Sequence, residues 1–414
     1  MRYTIFKSIL LLGVLPLISC GQNTKREVVE SKTELSQVKG ANSIVVGANQ
    51  IDEYMPILKG RKIGIVANQT SVIFKGDEKK QHVHLVDSLL SLDVDIVKVF
   101  APEHGFRGTA DAGEHVTDGI DKETGLPIIS LYGVNRKPSA EHLNDIDVMI
   151  FDIQDVGVRF YTYIGTLHYI MEACAEANIP LLILDRPNPN GHYIDGPILE
   201  PEYKSFVGMH PVPVVHALTI GEYAQMINGE RWLDNLLQCA IKVIPVKNYT
   251  HQTTYSLPIK PSPNLPNDAS INLYASLCLF EGTGVSIGRG TEKQFQIVGV
   301  PDNDLERFDY TFTPQPNFGA KHPKNEGKVC YGYDLSEIEP LSEFNLKWFI
   351  DFYNAHKESG SKEPFYNRFF LKLAGTKKIQ QQIEQGLTAK EIKATWQEGI
   401  DNYKITRSKY LIYK

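Results

Sequence analysis

Three stretches of this chain gather the residue types that acid–base chemistry needs. The first is Ala101-Pro102-Glu103-His104-Gly105-Phe106-Arg107-Gly108. A carboxylate set apart in a loop can carry a raised pKa and donate a proton, which makes Glu103 a candidate general acid; a surface acid capping a turn is the plainer alternative. His104 is its hydrogen-bonding neighbour, and Arg107 could orient the acid or bind substrate. The second stretch is Asp152-Ile153-Gln154-Asp155-Val156-Gly157-Val158-Arg159-Phe160-Tyr161-Thr162-Tyr163. On an extended backbone Asp152 and Gln154 share one face. Two carboxylates at the tip of an apolar run suit acid–base work or the stabilisation of a positive sugar carbon. Asp155 could equally cap the next helix or pair with Arg159. Tyr161 and Tyr163 offer ring faces to a sugar, or pack in the core. The third stretch is Asp185-Arg186-Pro187-Asn188-Pro189-Asn190-Gly191.

Two other chemistries compete for the same residue types. Glu103, His104, Asp111, Glu114 and His115 fall close together, but there is no H-E-x-x-H helix pattern, and adjacent residues of a strand point to opposite faces. No metal and no cofactor is therefore expected. His82 and His84 share a spacing of two, on what reads as a solvated helix face. Gly284-Val285-Ser286-Ile287-Gly288 fits the nucleophile elbow of serine hydrolases, with Ser286 as nucleophile and His322 or His356 as base. An elbow needs a strand before it, for which residues 277–280 are available, and a helix after it, which Gly288-Arg289-Gly290 makes a poor start.

The elements that must carry these stretches are visible in the hydrophobic pattern. Val- and Ile-rich runs at residues 63–66, 94–100, 148–151 and 180–184 read as strands buried on both faces. Residues 82–92 and 166–178 read as helices between them. Alternating strands and helices imply a mostly parallel, Rossmann-like α/β sheet, whose ligands bind at the carboxyl ends of the strands. The three chemistry-bearing stretches all follow strand ends. No G-x-G-x-x-G follows the first strand, so the fold brings no dinucleotide. After about residue 240 come Pro-rich loops, an aromatic-rich helix over 344–356 and a closing Lys409-Tyr410-Leu411-Ile412-Tyr413. This predicts a Rossmann-like domain over 44–240 and a smaller α+β domain over 241–414.

With 414 residues, 42% of them hydrophobic and 22% charged, the chain can bury a real core. Its 43 basic against 49 acidic residues leave no surplus to attract a phosphate backbone, so nucleic acid is excluded as a partner. Residues 1–20 carry Arg2, Lys7 and a short apolar run that ends Leu17-Ile18-Ser19-Cys20, as a bacterial lipoprotein signal does. Cys20 would become the lipidated N-terminus, residues 21–43 a flexible tether, and the N-terminal lipid the sole membrane contact. Gly21, rather than an acidic run, favours the periplasmic side of the outer membrane of a Gram-negative cell. Cys174, Cys239, Cys278 and Cys330 form no C-x-x-C pair and read as buried thiols.

Together these stretches, with Ser262-Pro263-Asn264, Glu281-Gly282-Thr283, Gly288-Arg289-Gly290-Thr291 and Tyr410-Leu411-Ile412-Tyr413, resemble a family of bacterial exported enzymes that includes exo-β-N-acetylmuramidases and was formerly classed as a domain of unknown function. The resemblance spans nearly all of the mature chain. It implies hydrolysis of the β-1,4 bond at the non-reducing N-acetylmuramic acid of peptidoglycan fragments, in the cleft between a Rossmann-like domain and a smaller C-terminal one. Glu103 is then the general acid, and Asp152 or Asp155 the second carboxylate, with His104 and Gln154 as orienting neighbours. Arg107, Arg159 and Arg289 are candidates to clamp the lactyl carboxylate, with Tyr161, Tyr163, Asn188, Asn264 and Glu281 completing the substrate site. Two departures stand out. Gly284 and Ile287 occupy positions where the family pattern suggests Asn and Glu, and His216-Ala217-Leu218 replaces a His-Gly-Met stretch. They motivate a second possibility, a lipid-anchored muropeptide-binding protein without chemistry.

Overall fold

A computed structural model describes residues 43–76, 81–108, 114, 118–301 and 308–414. The strands in chain order are β1 (Ile63–Ala67), β2 (Val72–Lys75), β3 (Gln81–His84), β4 (Ile96–Ala101), β5 (Gly119–Ile120), β6 (Pro127–Ser130), β7 (Val148–Asp152), β8 (Leu181–Leu184), β9 (Ile241–Ile244), β10 (Ile297–Val300), β11 (Tyr310–Phe312) and β12 (Cys330–Asp334). Seven of them form one sheet in the order β5-β6-β4-β1-β7-β8-β9, parallel throughout except for the edge strand β5. With the antiparallel edge set aside, the parallel strands run third, second, first, fourth, fifth, sixth, the doubly wound Rossmann order. The order reverses between β1 and β7, and their register, Val66 to Phe151 and Ala67 to Asp152, brings their carboxyl ends level.

Every residue of β1 and β7 is buried, because side chains from both faces enter a core. Ile63, Ile65 and Ala67 enter one core with Leu85 and Leu89 of the helix Leu85–Leu90; Val66 and Phe151 enter the other with Leu167, Ile170 and Met171 of the helix Tyr163–Ala177. The second core runs on without a break into the C-terminal half, where Phe280, Phe349, Phe352 and Phe370 pack. Among the described residues that half holds the antiparallel sheet β10-β12-β11, the helix Asp268–Leu277 and five more helices from Lys347–Glu358 to Gln397–Ser408. The α/β sheet followed by an α+β portion agrees with the expected fold class.

Three local expectations change. Residues 81–84 pair with β2, so His82 and His84 sit on a strand, and the helix starts only at Leu85 with His84 as its N-cap. Residues 277–280, expected as a strand, continue the helix Asp268–Leu277 as a 3-10 turn, Cys278–Gly282. The sheet also takes its last strand, β9, from beyond residue 240, the expected end of the first domain. The four cysteines after Cys20 are free and buried. Cys20, Asp111 and His115 lie outside the described residues.

Candidate active site

A cavity of about 960 Å³ opens at the carboxyl end of the sheet. It is walled by the loops after β4, β6 and β7 and, from the C-terminal half, by residues 262–265, 281–295 and 319–324.

Glu103 enters this cavity from a sharp turn. β4 ends at Ala101, the Gly105 N–H closes on the Pro102 carbonyl at 3.0 Å, and His104 and Gly105 both take left-handed backbone conformations, φ 72° and 78°. Such a conformation is costly for a residue with a β-carbon and concentrates at functional sites. The half-buried Glu103 carboxylate accepts a hydrogen bond from the Thr162 hydroxyl at 2.8 Å. Tyr132, reached from the β6 end, also bonds to Glu103; burial and that carboxylate push its phenol well above the usual range. Tyr132 therefore stays a neutral O–H donor. His104 lines the same wall.

The opposite wall supplies a second carboxylate. Glu281 accepts from Arg289 Nη2 at 2.6 Å, and the Arg289 guanidinium lies 5.1 Å from the centre of the Phe295 ring. Lys324 donates to the Phe280 and Thr283 carbonyls at 3.1 and 2.6 Å, and burial lowers its pKa to about 8. Lys321 holds both oxygens of Glu114, at 2.8 and 2.9 Å. Asn264 gives its amide N–H to the Gly319 carbonyl at 2.7 Å, while its Oδ1 is buried at the wall without a partner. Tyr161 faces the cavity with its hydroxyl donated to the Pro261 carbonyl at 2.8 Å.

Of the residues expected to act in hydrolysis, Glu103, His104, Tyr161, Asn264, Glu281 and Arg289 meet here, joined by Glu114, Ser286 and His322 from the competing metal and serine readings, while Asp152, Asp155, Gln154, Asn188, Tyr163, Arg107 and Arg159 do not. Asp152 is fully buried, its two oxygens taken by Arg186 Nε at 2.6 Å and Nη2 at 2.9 Å. Asp155 sits behind the cavity, accepting from the Gly157 N–H at 2.7 Å, and burial raises its pKa to about 7. Neither Asp reaches the cavity, which corrects their assignment as the second catalytic carboxylate. Gln154 donates to the Asp155 and Pro187 carbonyls, and Asn188 to the Leu218 carbonyl, so both hold backbone. A β-carbon on Gly157, which has φ +76°, would lie 2.1 Å from the Asn188 amide oxygen, so this turn requires glycine. Tyr163 stacks edge-on behind Tyr161, its hydroxyl accepting from the Asn68 amide.

Two of the three arginine clamps are likewise displaced. Arg107 is gripped by Asp87 and Asp121 outside the cavity, with Glu123 beside them. Arg159 is fully buried and spends both terminal nitrogens on four carbonyls, those of Pro197, Val212, Leu373 and Ala374. Burial lowers its pKa to about 9. Arg289 alone of the three lines the cavity. Ser286 lies there too, its hydroxyl unpartnered, but it sits in an extended bridge to Gly299 with no helix after it. His322 lines the cavity and His356 does not, bonding instead to the Glu363 carbonyl. The elbow context is therefore absent. Tyr132, Arg136 and Thr162 were missed, although residues 127–131 form an apolar run whose end would have pointed to the first two.

The sequence matches two family models end to end: the N-terminal model of the exo-beta-N-acetylmuramidase NamZ over residues 63–269 and the C-terminal one over 272–413. It is 35% identical to the peptidoglycan beta-N-acetylmuramidase NamZ of Bacillus subtilis, across the whole of both chains. Among solved structures, two DUF1343 family proteins of Bacteroides fragilis superpose with TM-scores of 0.80 and 0.76, at 46% and 29% identity; each match covers 90% of this chain and 99% of the other. The chain belongs to the NamZ exo-β-N-acetylmuramidase family.

Proposed function

We infer that this member of the NamZ family is a glycoside hydrolase that releases N-acetylmuramic acid from the non-reducing end of peptidoglycan fragments, with Glu103 as its general acid. The observation that carries the role is the placement of Glu103, turned into the cavity and fixed by the Thr162 hydroxyl and Tyr132.

Cleavage needs a proton on the leaving glycosidic oxygen and a negative group near the sugar carbon as it becomes positive. Glu103 gives the proton. Glu281, whose charge is held in place by Arg289, is the carboxylate that faces the developing cation. The free Oδ1 of Asn264 suits the N–H of the sugar's 2-acetamido group, which would satisfy a buried acceptor that has no other partner. Tyr161 and Phe295 supply ring surface. Water then adds at the sugar carbon, its proton returning through a carboxylate.

We further propose that the protein is exported and lipid-anchored at Cys20, facing the periplasm from the outer membrane of a Gram-negative cell. The supporting feature is the charged, then apolar, Cys-terminated run of residues 1–20. Labelling with a radioactive fatty acid should mark the wild type and not Cys20→Ala; equal labelling overturns the anchor.

The test of function uses protein lacking residues 1–42, a chromogenic β-N-acetylmuraminide and the matching glucosaminide. Release from the muraminide, lost in Glu103→Gln with unchanged melting temperature, is the expected result. Binding of muropeptide without turnover would instead identify a binding protein.

A further inference from the structure

Among the described residues, five Arg and Lys side chains line the cavity: Arg136, Arg289, Lys321, Lys324 and Lys372. Three are committed, Arg289 to Glu281, Lys321 to Glu114 and Lys324 to two carbonyls. Arg136 and Lys372 form no ion pair among the described residues. Arg136 Nε is buried and has no partner, and neither has the hydroxyl of Ser205 on the same wall. Leaving two buried donors unmade costs free energy unless a ligand fills them.

The wall that holds these groups is stiff. The Arg136 guanidinium lies 4.4 Å from the centre of the Phe206 ring. Ser205 and Gly208 exchange backbone hydrogen bonds of 2.9 and 3.0 Å, which fixes the turn carrying Ser205 and Phe206. Phe206 in turn packs so closely on the helix Tyr163–Ala177 that a β-carbon on Gly165 would lie 3.0 Å from its ring. Arg136 also acts electrostatically on Tyr132, the phenol that bonds to Glu103, so this positive charge stands next to the proposed acid.

We propose that Arg136 and Ser205, with Lys372 beside them, form an anion subsite that receives the carboxylate borne on the ether side chain of the substrate sugar. This rests on the hydrolase function proposed above and names the residues that separate a muramic from a glucosamine substrate. The guanidinium supplies the charge-assisted hydrogen bonds, held flat by Phe206, and the Ser205 hydroxyl adds a neutral donor. Arg289, the remaining sequence-level candidate, is already spent on Glu281.

The test pairs two readouts. Calorimetry with free N-acetylmuramic acid against N-acetylglucosamine reads the subsite without turnover. Steady-state kinetics on the two chromogenic substrates, with a muraminide whose carboxylate is amidated, reads it during catalysis. In Arg136→Gln the affinity for N-acetylmuramic acid and kcat/KM for the muraminide should fall on the order of 10- to 100-fold, and kcat/KM for the amidated substrate should fall by clearly less, so that the preference for the carboxylate is lost. Ser205→Ala should reproduce the pattern at smaller scale, independently of any folding defect in the first variant. Unchanged preference for the carboxylate in both variants overturns the proposal, as does wild-type protein that binds the two sugars equally. Wild type that binds N-acetylmuramic acid through Arg136 but cleaves neither substrate supports the subsite and overturns the hydrolase function instead.

Discussion

Two polar regions meet at the carboxyl end of the sheet, and they are built in opposite ways. Behind the strand ends, Asp152 and Arg186 close a bidentate pair, Gln154 and Asn188 are spent on carbonyls, and Arg159 bonds four more. In the cavity, Glu103 is half-buried, Asn264 keeps a free acceptor, and Arg136 and Ser205 keep free donors. The first region is a scaffold closed off from the cavity, with Asp155 Oδ1 and Arg159 Nε left unpartnered inside it, and the second holds its unmet groups where a ligand can reach them. The densest run of chemistry-capable residues, 152–163, belongs mostly to the scaffold. Dense polar motifs at strand ends therefore mark where the backbone is pinned, and it is an unmet group that also faces the cavity that marks where a ligand goes.

The contrast breaks if a scaffold residue proves catalytic or a cavity residue proves structural. Glu103→Gln should lower turnover of the muraminide by about 10²- to 10⁴-fold, the usual worth of a general acid, with no change in melting temperature. Asp152→Ala should do the reverse. It leaves the Arg186 charge buried alone, and denaturant titration should read a loss of about 3–5 kcal/mol or failure to fold. A folded Asp152→Ala protein that is inactive would return that residue to the catalytic set.

Asp155 sharpens the contrast through pH. Its folded pKa of about 7 lies above the unfolded carboxylate value of about 4, so the folded state binds a proton that the unfolded chain has already released. Its contribution to stability is full below about pH 4 and is lost as pH rises through 7. In Asp155→Asn the oxygen facing the Gly157 N–H is kept and that pH-dependent loss disappears. Unfolding of wild type and variant should thus diverge between pH 4 and 7, the variant gaining; parallel curves would refute a buried, proton-holding Asp155. The smallest effect belongs to Ser286→Ala. Its hydroxyl has no protein partner to lose and the elbow context is absent, so stability should move by less than about 1 kcal/mol and turnover should fall far less than in Glu103→Gln. Loss of activity would reopen nucleophilic catalysis.

How far the sequence could be read follows the same division. Strands β1, β4, β7 and β8 were legible because burial on both faces writes a continuous Val/Ile run. β9 is an edge strand with half-exposed positions followed by Pro245, and β3 is a short, mostly polar stretch before a helix, so neither announces itself that way. Glu103 and His104 line the cavity from a loop after a buried strand, where the hydrophobic pattern points, while Glu281 and Arg289, which line it too, follow a helix and are suggested only by the family resemblance. Asp152 and Arg159 were misassigned because composition does not say whether a charge faces water or four carbonyls. Arg136 escaped because a single arginine five residues after an apolar run carries no pattern of its own.

Arg159 also bears on how substrate gets in. Its guanidinium fastens the carbonyls of Pro197 and Val212, from the sheet-bearing half, to those of Leu373 and Ala374, from the other. Swinging the halves apart would break two of these four bonds, so hinge opening works against Arg159. A sugar that enters a slot held in this way loses little conformational entropy on binding. Crystals grown with and without N-acetylmuramic acid should superpose to within about 1 Å over their backbones.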